Sequence, residues 1–385
     1  MFKRFLIFIV IYNFYFSVSA ADTLITTKLL NRLEELQSKE SAVFPKGSFP
    51  TYRQYALNKE FAKADINAFY SGLIAMTLKD IKHKLTDYQQ IQASRIIRNI
   101  TPYFEKFKNQ NGRNTYNFWP KDTPIIFPNA GFLNLFNKRQ ALPDDLDDTV
   151  VILLALNTPD SIAKNIHLLM QDYTNTGDRK INNTFKEYRN IGAYSTWFGK
   201  IIPIDFDISV LSNVLLFVQK NNLKWTKADS ASLDLIVKNI IDRRYVTNAP
   251  YVSPHYAKTA YILYHFSRLM SYKPIKELEI HKDQLIRDAL TEFNKAESFL
   301  DEVVLSTALN RWGVKPPNGK FHYTDNLQEF IEDPNFYFFT ANIAAMMPDE
   351  FKRFISKIKL GLFFFNCPGY NNVLLLENIL LNNNN

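Results

Sequence analysis

Four carboxylates crowd into five residues, Asp144, Asp145, Asp147 and Asp148, just before the apolar run Val150-Val151-Ile152-Leu153-Leu154-Ala155-Leu156. Like charges so close cost energy unless something offsets them, either a divalent cation or a proton held by a carboxyl of raised pKa. The run is hydrophobic all round, so it predicts a buried helix whose amino end opens at the floor or rim of a cavity. Acids at a helix start also satisfy free N–H groups and complement the macrodipole, each worth about 0.3–1 kcal/mol. Pro143 suits such an entry, and one or two acids suffice for it. Structural capping and chemistry both remain open for this cluster.

Asp205 and Asp207 form a second acidic pair. Placed against Asp147 across a cavity, either would make the separated carboxylates that glycoside hydrolysis uses. Trp119 and Trp197, in two irregular aromatic segments, are suited to stacking on sugar rings. Asp205 follows Pro203 and equally suits a helix cap. The six histidines, His83, His167, His255, His265, His281 and His322, are dispersed without the i, i+4 pattern of a helical zinc site, and read as satisfied structural residues. Gly-x-Ser-x-Gly and phosphate-binding glycine loops are absent. Cys367 is the sole cysteine, so no internal disulfide forms, and it reads as a small buried hydrophobe.

Asp145-Leu146-Asp147-Asp148-Thr149 resembles the Asp-x-Asp-Asp-Thr motif of class II terpene cyclases. The resemblance implies that Asp147 protonates an alkene or epoxide, with Asp145 and Asp148 as its neighbours and aromatic faces stabilising carbocations. Asp144-Asp145-x-x-Asp148 is also similar to the Asp-Asp-x-x-Asp array of class I terpene synthases. That match implies Mg2+ on Asp144, Asp145 and Asp148; the class II chemistry requires no cofactor. Asp205-Phe206-Asp207 through Phe217, and Ser253-Pro254-His255-Tyr256 through Arg268, resemble consecutive helices of the bacterial prenyltransferase and terpene-cyclase type of helical toroid, which adds Tyr256 to the substrate-binding candidates. Gln219 to Trp225 holds the nearest approach to a Gln-x-x-x-Gly-x-Trp repeat, with Leu223 in the place of Gly.

The elements that must position these groups are helical. Apolar periodicity and caps predict helices near 22–38, 50–58, 62–82, 87–109, 145–157, 159–173, 205–220, 227–242, 254–271, 276–295, 298–311, 334–346, 348–359 and 370–381, with no convincing strands. So many helices predict an all-α fold, an α/α toroid of helical hairpins in one domain over residues 22–381. Two long irregular segments, 110–143 and 174–204, interrupt the helices and are functional candidates. Residues 382–385 read as a disordered polar tail. Lys3 and Arg4, an apolar stretch from Phe5 to Phe16 and small residues to Ala21 read as a signal peptide over 1–20, implying a periplasmic or secreted protein.

A hydrophobic content of 46% argues for a globular chain. The formal net charge of +8 is scattered, with no basic block of the kind that binds nucleic acid. The expected partners are a small-molecule lipid or glycan, with peripheral membrane contact and no nucleic acid. Three functions follow: binding or cyclisation of an isoprenoid lipid, hydrolysis or lysis of a glycan, and non-catalytic binding with a structural or cation-holding acidic cluster.

Overall fold

The computed structural model describes residues 20–39, 43–121, 142–178, 180–199, 202–321 and 327–382. The expected leader, apart from Ala20, lies outside the described residues, as do tail residues 383–385 and His322. Twelve helices of ten residues or more stand among the described residues: α1 (Ala20–Leu36), α2 (Phe69–Ile81), α3 (Asp87–Ile100), α4 (Leu146–Ala155), α5 (Asp160–Met170), α6 (Ile208–Lys220), α7 (Lys227–Ile241), α8 (Thr259–Tyr272), α9 (Lys282–Lys295), α10 (Phe299–Arg311), α11 (Asp349–Ile358) and α12 (Pro368–Asn382).

Burial sorts them into two layers. Every residue of α4 is buried, as is α6 from Ile208 to Gln219 and α8 from Thr259 to Met270. Helices covered on all sides must be apolar on all sides, which is why α4 carries almost no polar residue after its first turn. In contrast α3 buries only Gln89, Gln92, Ala93, Ile96 and Ile100, the one stripe of an outer helix. The inner helices pack in succession, α2 on α4, α4 on α6, α6 on α8, α8 on α10 and α10 on α12, and α12 returns to α2. This is a closed ring of six staves. Outside it, α1 covers α12 and α3, α3 covers α2, α7 covers α6, α9 covers α8 and α10, and α5 is joined to α7 by His167 Nε2 and Asp229 Oδ2 at 2.9 Å. Gly72 lets α2 and α4 meet closely: a Cβ there would stand 3.0 Å from Val151 Cγ1.

The staves run in one direction. Asp145 and Asp207 cap the amino ends of α4 and α6 at one end of the ring. At the other end Lys79, in the last turn of α2, donates to the carbonyls of Leu154 and Leu156 at 2.9 and 2.6 Å.

Two expected helices are strands. Residues near 50–58 form β1 (Tyr52–Tyr55) and residues near 334–346 form β3 (Phe339–Asn342). With β2 (Asn58–Ala64) and β4 (Leu362–Asn366) they make a four-stranded antiparallel sheet of order β2-β1-β4-β3. Strands β1, β3 and β4, of four or five residues, are too short for alternation to show in sequence, and β1 finds β4 some three hundred residues away, Tyr52 facing Asn366. The helix expected from 62 accordingly starts at Phe69, and the one expected from 254 starts at Thr259. Segment 253–258 is loop, because Asp207 already binds its backbone.

Candidate active site

The amino ends of the staves meet under the sheet. Two stretches from the irregular segments flank the acidic motif: Tyr116 and Trp197 each make an antiparallel bridge to Asp145. The Asp145 N–H donates to the Tyr116 carbonyl (2.9 Å), the Leu146 N–H to that of Thr196 (2.8 Å) and the Phe198 N–H to that of Asp144 (2.9 Å). Thr149 locks the motif by donating to the Asp145 carbonyl (2.6 Å) while accepting from the Tyr116 N–H (2.9 Å).

The four carboxyls of the motif diverge. Asp144 is buried against the stretch around Thr115, where its Oδ2 accepts from Thr115 Oγ1 at 2.6 Å and from Asn109, with Lys121 Nζ 3.8 Å from its Oδ1. Asp145 is the N-cap of α4; its Oδ1 accepts from the N–H groups of Asp147 (2.6 Å) and Asp148 (3.1 Å). Asp147 points into the ring, accepting from Asn213 Nδ2 (2.7 Å) and Tyr256 Oη (2.5 Å). Asp148 is buried, with Oδ1 lacking a hydrogen bond among the described residues. Asp144, Asp145 and Asp148 thus face separate surroundings, and among the described residues no group of three or more His, Cys, Asp or Glu is arranged to hold a metal ion.

Burial raises these acids. Asp145 is pushed up to about 7 by burial and by the charge of Asp147, against the pull of His255 and the two N–H donors. Asp147 rises to about 6 by burial, opposed by its bonds from Tyr256 and Asn213. Asp148 is held well above the usual carboxylate range by burial and by both neighbours. A proton held by Asp145 belongs on Oδ2, because Oδ1 is committed to the helix end.

A cavity of about 50 Å³ lies between motif and sheet. Its carboxyls are Asp145 and Asp205; its walls include Trp119, Trp197, Phe118, Phe339, Phe363 and His255. Alternation along paired β3 and β4 turns Phe339, Ala341 and Phe363 toward it. The rings support one another, Phe118 stacking on Phe339 at 5.3 Å and Phe339 on His255 at 5.7 Å. Trp119 is steadied from behind, its Nε1 donating to Asp65 at 3.2 Å.

Asp207 builds this wall without lining it. Its Oδ1 caps α6 through the N–H groups of Ser209 (2.8 Å) and Val210 (3.2 Å) and accepts from Ser253 Oγ (2.6 Å), while Oδ2 accepts from the His255 N–H (2.9 Å). His255 is thereby fixed with Nδ1 at 3.3 Å from the Thr340 carbonyl and Nε2 at 3.8 Å from Asp205 Oδ2, an ion-pair separation too long for a hydrogen bond. Burial works against charge on this ring, but Asp205, Asp207 and Asp145 outweigh it and push His255 up to about 9. Asp205 is 1% exposed, and both its oxygens, like Trp197 Nε1 and His255 Nε2, have no hydrogen-bond partner among the described residues.

Of the residues singled out in the sequence, the structure brings Asp145, Asp205, Trp119 and Trp197 to one cavity. Asp147 and Tyr256 lie together beneath it. His255, expected to be structural, stands in the wall; the signal for it was Ser253-Pro254-His255, read only as a helix start. Asn213 lay within the Asp205–Phe217 resemblance but was not singled out as a site residue, and Phe339 carried no signal, since each is placed by contacts distant in sequence.

No family model matches the sequence, and no curated protein matches it at a significant level. Among solved structures the chain is similar to an unsaturated glucuronyl hydrolase specific for heparin, at 7% identity and a TM-score of 0.45, over 94% of this chain and 96% of that one.

Proposed function

We propose that this toroid is a glycan-active enzyme, a hydrolase or lyase, whose sugar ring is held at the Trp119–Trp197 cavity. One observation carries this reading: an aromatic cavity contains buried polar atoms left unpaired, the two oxygens of Asp205, Trp197 Nε1 and His255 Nε2. Each such atom costs about 1–3 kcal/mol when left unsatisfied. A hydrocarbon would leave all of them unpaired. A sugar presents an apolar face to the rings and hydroxyls to these donors and acceptors. Asp145, protonated near neutral pH, then gives its Oδ2 proton to the leaving oxygen, and Asp205 is the second carboxyl, facing the imidazolium of His255. The cavity volume suits a water or two, so a sugar requires the walls to part on binding.

The test is turnover on an oligosaccharide panel. Asp145→Asn and Asp205→Asn should each lower it by about 10²-fold or more, with circular dichroism unchanged. Turnover by the wild type on no glycan, or variants as active as wild type, would overturn the reading. The near-continuous aromatic lining favours a second reading, an isoprenoid protonated by Asp145. In that case prenyl substrates are consumed, and Asp205→Asn, which leaves the proton of Asp145 in place, keeps the rate within a few fold.

A further inference from the structure

Helix α11 (Asp349–Ile358) sits the wrong way round for a helix of a globular surface. Phe351, Phe354 and Ile358, at the i, i+3, i+7 spacing of one face, are 59%, 62% and 45% exposed, and Leu360 just beyond is 48% exposed. One of its lysines faces inward instead: Lys352 is 3% exposed, its Nζ donates to the Asn183 carbonyl (3.1 Å) and lies 4.3 Å from the centre of the Tyr251 ring. Arg353 stacks on the same ring at 4.6 Å and is tied to Asp349 at 2.9 Å. These inward contacts fix which face looks out, and the apolar one does.

We propose that this face docks on an anionic lipid surface. Three observations choose that occupant. The first is charge: with Lys352 turned inward, Arg189, Arg244, Arg353 and Lys359 still outnumber Glu187, Asp349 and Glu350 around the helix, within a chain of net charge +8. The second is size. Four half-exposed side chains offer roughly 400 Å², about half of the ~800 Å² per partner that a stable protein interface takes, yet enough to sink an amphipathic helix into headgroups. The third is length: ten residues are far fewer than the ~20 a span needs, and among the described residues no helix is long and apolar enough to cross a membrane. The helix follows the cavity wall in sequence, Ile343 and Ala345 lining the cavity, so docking holds that wall close to the lipid. The proposal is independent of what the cavity binds.

The full chain is sedimented with vesicles of phosphatidylcholine alone and of phosphatidylcholine with phosphatidylglycerol. Binding at least tenfold tighter to the anionic vesicles is expected. It should weaken as salt is raised and be lost in the Phe351→Ser, Phe354→Ser double variant, whose melting temperature stays at the wild-type value because both rings are exposed. As a second measurement, the emission added by Phe354→Trp should shift to shorter wavelength on adding anionic vesicles. Absence of binding by the wild type, binding that survives in the double variant, or an added emission that ignores vesicles would overturn the proposal. So would a concentration-dependent dimer abolished by the double variant, which would seat a second copy on this face.

Discussion

At the scale of single residues, the acidic cluster is a proton store. Asp145 and Asp147 keep their protons to about 7 and about 6 in the folded chain, against about 4 when unfolded. Between those values the folded state binds more protons, so stability is greatest toward the acid side and falls as pH rises. His255 acts in the same sense, since its charge is favoured in the fold up to about 9 and is lost above. The melting temperature should therefore drop by several degrees between pH 5 and pH 8, with Asp147 alone accounting for about 1.4 kcal/mol over that range. Asp148→Asn removes a buried carboxyl that has charged neighbours and an unpaired oxygen. It should raise the melting temperature at pH 8 and flatten the pH profile. A variant no more stable than wild type at pH 8 would show that the buried Asp148 carboxyl carries no such cost. If Asp145 is the proton donor, turnover falls as pH passes about 7, because the acid form is lost.

Among the elements, the caps of α4 and α6 do two tasks. Asp207 satisfies two N–H groups at the start of α6 and also binds Ser253 Oγ and the His255 N–H. Asp207→Ala leaves these buried donors unpaired, so a loss of about 2–4 kcal/mol is expected. Ligand affinity should weaken as well, because His255 loses its anchor. Chemical denaturation and a binding titration on the same sample separate the two effects. Gly72→Leu tests the close approach of α2 and α4: its side chain meets Val151 and Ile152, and about 1–3 kcal/mol of destabilisation is expected.

For the whole molecule, ring closure rests on α12, which packs between α10 and α2 and lies under α1. Removing residues 368–382 strips apolar cover from both neighbouring staves. The shortened chain should lose its cooperative thermal transition and gain binding of a hydrophobic dye; a sharp transition near the wild-type temperature would mean that five staves suffice. The same closure explains why α11 can turn its apolar face outward, since the core is complete without it.

Sequence alone determined the staves. A run such as Val150–Leu156 can only be buried, and the caps at Asp145 and Asp207 mark where two staves begin, so most of the helices and the toroid were legible, while two of the fourteen expected helices proved to hold strands. The crowded acids and the two tryptophans were legible as candidates, because residue type and local spacing report chemistry directly. What tertiary structure alone decided is which atoms face which. Asp145 and Asp147, two positions apart at a helix start, point about 200° apart around the helix axis, so spacing separates them, but only packing decides that Asp145 faces the cavity and Asp147 faces Asn213 and Tyr256. The short strands, the place of Phe339 and the ion pair of His255 with Asp205 depend on partners far along the chain. No local pattern encodes such contacts, because the free energy that selects them is released only when the ring closes.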